Sequence, residues 1–235
     1  MGDDSGLLLF FHRGCAFKIA DGVQPPKAGS LMFCRHLVFR PGERVLEIGT
    51  GSGLASVLAA RAGCRVVATD VVPAAVQCAR DNAVLNGVAG SVDARLGDCY
   101  DPVRGLAFDL ICSSPPQMPT PPARARDDAV AAADNGGLDG WALLDRVIAG
   151  APAHLHPGGR LVFTMFAFLG LKRALAALET AGLAPSVVAS ETHGFPRIGY
   201  ERLDHIRSLD AERTLPAAGW PATVERHVVQ GFKAP

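Results

Sequence analysis

Val45-Leu46-Glu47-Ile48-Gly49-Thr50-Gly51-Ser52-Gly53 runs an apolar stretch into a glycine turn, and Leu54-Ala55-Ser56-Val57-Leu58-Ala59 continues it with a helical pattern. A strand that ends in glycines and opens a helix lets backbone N–H groups face a ligand, because glycine adopts φ angles closed to other residues and has no Cβ to hold the ligand off. Nicotinamide and flavin enzymes carry such a turn too, and spacing separates them. Their fingerprint needs G-x-G-x-x-G/A. Counted from Gly49 the third position is Leu54, and counted from Gly51 it is Ser56, so an NAD(P)-dependent oxidoreductase is disfavoured.

Working outward, strand-like and helix-like segments alternate, which predicts a mostly parallel sheet covered on both faces. Strands are expected at 44–48, 65–69, 92–96, 108–112, 160–166, 185–190 and 223–231. Helices are expected at 29–39, 54–62, 73–86, 138–155 and 171–181. Segments 7–11 and 15–20 flank His12-Arg13-Gly14 and predict a small hairpin ahead of the core. The chain of 235 residues suits one domain, with residues 1–40 as an N-terminal extension and 41–235 as the core. Two irregular stretches, 113–137 and 192–222, follow strands at the carboxyl edge of the sheet, where open α/β folds bind ligands. They are the expected walls of a substrate pocket.

Asp70 closes the second core strand, Val66-Val67-Ala68-Thr69-Asp70, and Gly97-Asp98-Cys99 follows the third. With Glu47 two residues before Gly49, this ordered set resembles motif I and the acidic positions of class I S-adenosylmethionine (SAM)-dependent methyltransferases. The resemblance implies a Rossmann-like fold with a seven-stranded sheet and SAM as cofactor. It places the cofactor against Glu47, Gly49, Thr50, Gly51, Gly53, Asp70, Val71, Asp98, Cys99 and Ser114, with Asp70 at the ribose hydroxyls and Asp98 at the adenine amino group.

Phe108-Asp109-Leu110-Ile111-Cys112-Ser113-Ser114-Pro115-Pro116-Gln117 ends the fourth core strand. It resembles the F-D-L-I-x-S-N-P-P-Y signature of enzymes that methylate adenine or cytosine amino groups or a release-factor glutamine. The likeness extends from about Gly22 to Gly159. It takes in Gly22-Val23-Gln24-Pro25-Pro26 and Asp134-Asn135-Gly136-Gly137-Leu138-Asp139-Gly140, which is similar to a segment of the glutamine methyltransferases. In that family the Asn side chain and the first proline's carbonyl hold the target amino group, and the aromatic residue stacks on a planar substrate. Here Ser114 stands for Asn and Gln117 for the aromatic. Serine keeps an oxygen but loses the amide's paired donor and acceptor, and Gln117 offers no stacking face.

Charge bears on the acceptor as well. Lys and Arg number 23, as do Asp and Glu, so no positive excess marks a nucleic-acid partner. The favoured acceptor is therefore a nitrogen or oxygen of a small metabolite in a biosynthetic pathway. A protein glutamine or an RNA amino group is the alternative, and use of SAM for a reaction other than methylation is a further one. Expected catalytic residues are Ser114, Pro115 and Gln117, with His193, in Glu191-Thr192-His193-Gly194, as a base near its ordinary pKa of about 6.5. Trp141 reads as a core residue, while Tyr100, directly after Asp98-Cys99, either flanks the adenine or packs. The six cysteines are scattered without a C-x-x-C pair, which argues against a metal site and fits reduced thiols in the cytoplasm. The opening Met1-Gly2-Asp3-Asp4 lacks the basic region of a signal peptide, and no apolar run is long enough to span a bilayer. The accepting atom and the oligomeric state stay open at this level.

Overall fold

Among the strands, β3 (Arg44–Ile48), β4 (Arg65–Asp70), β5 (Val92–Leu96), β6 (Phe108–Ser113), β7 (Leu155–Phe166), β8 (Ala184–Gly194) and β9 (Thr223–Phe232) form one seven-stranded sheet. The computed structural model describes residues 8–125 and 133–235. Strand order is β5-β4-β3-β6-β7-β9-β8. The β5, β4, β3, β6 and β7 strands pair in parallel, and β9 runs antiparallel between β7 and β8. The Rossmann-like architecture is thus present. The chain winds outward from β3 through β4 to β5, then returns to start the other half at β6. Crossovers leave β3 and β6 in opposite directions, which opens a crevice beyond their carboxyl ends.

Both faces of the sheet are covered. Alternating side chains divide between them: Val45, Leu110, Cys112 and Val162 pack with α1 (Ala28–His36), α2 (Leu54–Arg61) and α3 (Pro73–Leu85). Leu46, Ile48, Ile111, Leu161 and Phe163 pack with α4 (Ala142–His154) and α5 (Leu171–Thr180). Two short helices, α6 (Arg197–Tyr200) and α7 (Leu203–Leu209), occupy the stretch between β8 and β9. No described helix is long and apolar enough to cross a membrane.

The N-terminal hairpin, β1 (Leu8–His12) and β2 (Cys15–Ile19), turns on Arg13 and Gly14, both at positive φ (49° and 72°), as a two-residue hairpin turn requires. It docks on α3 through two asparagines. Asn82 accepts from Lys18 N (2.8 Å) and donates to Lys18 O (2.9 Å). Asn86 does the same to Ala16, at 3.0 and 2.7 Å. Four helical residues rise about 6 Å and two strand residues about 6.6 Å, so side-chain amides one turn apart match alternate backbone positions of β2. Asn82 also donates to Ser52 O in the glycine loop (2.8 Å).

Four boundaries differ from the sequence reading by more than one residue. The helix expected from 138 starts at Ala142, because Gly140 sits at φ +84° and Asp139 Oδ1 caps Trp141 N in a turn. The strand expected from 160 starts at Leu155, and His156–Gly159 bulges out where Phe108 pairs with Leu155 and Leu110 with Arg160. β8 runs on to Gly194, paired with β9 throughout, so the second irregular stretch begins later than expected. The first helix ends at His36 rather than at residue 39. Residues 126–132 of the first irregular stretch, and the opening Met1–Leu7, lie outside the described residues.

Asn82→Ala removes three hydrogen bonds to backbone groups at a buried site, and leaves Lys18 O only its bond from Cys78 Sγ. We expect a loss of about 2–4 kcal/mol in urea unfolding, with the hairpin's amides exchanging first.

Candidate active site

The glycine loop leaves β3 at the crevice. Gly49 N and Thr50 N both donate to Thr69 O of β4, at 2.8 and 3.1 Å. Glu47 is buried behind the loop, where its Oε2 accepts from Thr50 Oγ1 (2.8 Å), Ser56 N (3.0 Å) and Ser56 Oγ. Burial, with Asp70 nearby, raises its pKa to about 7. Glu47 borders the pocket, yet this oxygen is spent bracing the loop against α2.

The three glycines do different work. Gly49 (φ +76°) and Gly51 (φ +52°) line the cavity, and a Cβ on either would meet no protein atom within 4 Å. That space is open to a ligand. Gly53 (φ +77°) is not in the cavity wall, and its Cβ would stand 2.9 Å from Ala79 Cα. Its expected cofactor contact is corrected: Gly53 is needed for packing α2 on α3.

Asp70 ends β4 with Oδ2 accepting from Gly51 N and Oδ1 from Val72 N, both at 2.9 Å. Partial burial raises its pKa, partly offset by these N–H donors. Val71 continues the wall, and Thr50 joins it from the loop. Asp98 stands half exposed at the rim in an ion pair with Arg146 (3.0 Å). Cys99 is buried at φ +50°, its carbonyl accepting from Thr69 Oγ1 (3.3 Å), and burial lifts its thiol to about 11. Gln24, Pro25 and Phe33 close the opposite side of a cavity of about 220 Å³. Of these only the Gln24 segment carried a sequence signal, the Gly22–Pro26 turn.

The turn after β6 is anchored to β3 by Ser113 Oγ, which donates to Ile48 O (2.9 Å). Ser114 Oγ lies 3.1 Å from Thr164 Oγ1 of β7. Ser114 and Pro116 line the first cavity and also a second, outer one of about 540 Å³, where Pro115, Asp134, Glu201 and Arg226 appear as well. Gln117 corrects an expectation. Its amide is buried, Nε2 donating to Thr164 O and Oε1 accepting from Phe166 N (3.0 Å). Both ends are committed to the backbone of β7, so Gln117 holds the turn in place and is not a catalytic group.

His193 corrects another. Because β8 extends to Gly194, its side chain packs on α1, with Nε2 3.4 Å from Met32 Sδ and 3.6 Å from Glu191 Oε2. It lines neither cavity, and burial together with Arg226 lowers its pKa. It is no base for this site. Trp141 packs as read, its Nε1 donating to Leu169 O (3.0 Å), and of the two readings of Tyr100 the structure has packing: it stacks on His154 with its hydroxyl on Val147 O (2.7 Å). Among the described residues no His, Cys, Asp and Glu group is arranged to hold a metal.

The family model for the methyltransferase small domain matches residues 24–132. A Methanocaldococcus jannaschii protein provisionally named as a protein N5-glutamine methyltransferase is 33% identical over 178 residues, covering 75% of this chain and 89% of its own. The release factor glutamine methyltransferase of Cereibacter sphaeroides is 35% identical over 214 residues, covering 86% and 74%. The chain belongs to the release-factor glutamine methyltransferase family. It is a SAM-dependent methyltransferase of class I. Solved structures share the fold: the E. cuniculi complex responsible for methylation of the eRF1 translation termination factor (TM-score 0.60, 17% identity, 91% of this chain and 99% of that one) is one. The T. thermophilus 16S rRNA methyltransferase RsmC in complex with AdoMet and guanosine (0.61, 17%, 97% and 50%) is another.

These glutamine methyltransferases are named for a protein substrate, and the small-metabolite acceptor expected from the sequence is withdrawn. That expectation leaned on Gln117 as a lost stacking face. The side chain at that position points into β7, so its identity carries no information about the acceptor.

Asp70→Ala is expected to weaken SAM binding about 10-fold or more, since it removes charge-assisted acceptors and frees Gly51. Isothermal titration checks this. Glu47 generates a pH effect. Its folded pKa lies above the usual glutamate range, so the folded state holds that proton more tightly. Its contribution to stability therefore falls as pH rises toward about 7 and is flat above. Denaturation of Glu47→Gln should show a shallower decline over that window than the parent, with Asp70 supplying what remains.

Proposed function

We propose that this enzyme methylates the side-chain amide nitrogen of a glutamine in a protein, with a translation release factor as the substrate to try first. One observation supports this above the rest: Ser114 and Pro116 stand in the shared wall of the SAM pocket and the outer cavity. A group held at that turn sits between the methyl donor and the space left for a larger substrate. The sequence relatives, named for protein glutamine methylation, point to the same acceptor.

Bound SAM supplies an activated methyl group on a sulfonium. The protein's part is to place the nucleophile. A carboxamide nitrogen carries two N–H donors, and the turn offers two acceptors for them, Ser114 Oγ and the Pro115 carbonyl. The Ser114 and Thr164 hydroxyls share one hydrogen bond, and in the arrangement where Ser114 donates, its lone pairs are left for the acceptor. Pro115 and Pro116 bring no N–H to compete for that carbonyl, and their fixed φ stiffens the turn. The amide nitrogen forms its bond to the methyl carbon as the carbon–sulfur bond breaks, and the nitrogen then gives up one proton to water. Alignment of this kind supplies up to roughly 7–11 kcal/mol in well-ordered systems. Gln117 serves indirectly, by fixing the turn on β7.

The test is incubation of the purified enzyme with SAM and a bacterial release factor, followed by peptide mass spectrometry. We expect a single methyl group on a glutamine side chain. No methylation, or methylation of another residue type, overturns the proposal. Ser114→Ala should lower turnover about 10- to 100-fold, the Pro115 carbonyl remaining, with affinity for S-adenosylhomocysteine nearly unchanged.

A further inference from the structure

Arg226 lies in the wall of the outer cavity, opposite Phe166 in the β7–β9 ladder. Its guanidinium carbon sits 3.6 Å from the centroid of the Phe166 ring, and that ring stacks on Phe168 in turn. Backbone N–H of Phe166 is the group held by Gln117, so the platform under the guanidinium and the Ser114–Gln117 turn are one connected piece. On the other side the tip reaches the start of α1, where a Cβ on Gly29 would stand 2.6 Å from Nη1.

Among the described residues the guanidinium has its ring contact but no acceptor: no hydrogen bond or ion pair reaches it. Asp134, the carboxylate that acts on it, is bound to Gln24 (2.8 Å) and paired with Lys27 (3.6 Å). Burial draws the pKa of Arg226 down to about 10. Partly exposed in the cavity wall, it is able to donate to a ligand that enters there. The cavity wall carries charges of both signs, Lys27 and Arg197 as well as Asp134 and Glu201, so it does not single out an anionic ligand. A neutral oxygen acceptor suits it, and the main-chain carbonyls beside a protein glutamine are such acceptors.

We propose that Arg226 is a substrate-positioning residue: its stacked guanidinium donates to a main-chain carbonyl flanking the acceptor glutamine and so orients the side-chain amide at Ser114 and Pro115. This rests on the glutamine reading above. Cross-strand placement on Phe166 fixes the guanidinium plane, and Gly29 leaves room for its tip.

The experiment compares the parent enzyme with Arg226→Gln, Arg226→Lys and Gly29→Ala. Readouts are steady-state methylation of the release factor, and binding of a synthetic glutamine-containing peptide from it in the presence of S-adenosylhomocysteine, followed by fluorescence anisotropy. Arg226→Gln should lower kcat/KM about 10- to 100-fold and weaken peptide binding by a similar factor, with S-adenosylhomocysteine affinity within about twofold. Arg226→Lys should recover part of the loss. Gly29→Ala, which displaces the flexible tip without removing it, should fall between. Unchanged kcat/KM and peptide binding in Arg226→Gln, or a loss matched in S-adenosylhomocysteine affinity, overturns the assignment while leaving the glutamine reading intact. A parent enzyme that leaves glutamine unmethylated overturns that reading and the assignment with it.

Discussion

Glu47 turns its carboxylate away from solvent and into its own chain, where Thr50 and Ser56 donate to it from the loop and from the first turn of α2. The geometry of the site follows from this contact. It fixes the start of α2 relative to the end of β3, which sets the loop between them at the crevice. Gly49 and Thr50 then reach β4, and Gly51 reaches Asp70. Open space beside Gly49 and Gly51 is left over once these bonds are made. A buried carboxylate has a desolvation cost, and here donors on both sides of the loop offset it.

The acceptor side is built differently. There the sheet supplies rigidity through β7, whose Thr164 and Phe166 are gripped by Ser114 and Gln117. The two sides of the topological switch thus hold one wall each, β3 for the donor and β6 with β7 for the acceptor. Ser113 ties the two together at Ile48. The relative position of methyl donor and acceptor is set by bonds between neighbouring strands of one sheet, the stiffest part of the fold.

Much of the donor side was legible in the sequence because its geometry is local. Glycine spacing after an apolar strand, and an acid at the end of the next strand, are consequences of a few backbone angles and neighbouring hydrogen bonds. The acceptor side depends on which way side chains turn, and periodicity does not settle that at strand ends. Gln117 read as facing outward because its aromatic counterpart does; two backbone groups of β7, distant in sequence, claimed it instead. His193 read as a loop residue because the strand before it was expected to end at residue 190, while pairing with β9 carries β8 to Gly194. Gly53 belonged to the right motif but serves a helix contact with Ala79 that spacing does not reveal. Thr164 and Arg226 went unremarked inside apolar strands, although a polar residue in such a run, at a strand's carboxyl end or beside it, is the available signal.

The paired asparagines on α3 have a consequence for how the pocket communicates. Asn82 touches the hairpin with one part of its amide and the carbonyl of Ser52 with the other. Ser52 belongs to the loop that a bound cofactor would rest on. One rigid amide is therefore a shared constraint on two otherwise separate segments, and free-energy linkage makes the sharing reciprocal. The N-terminal ribbon and the floor of the pocket thus hang from one side chain of α3, so a change at position 82 reaches both.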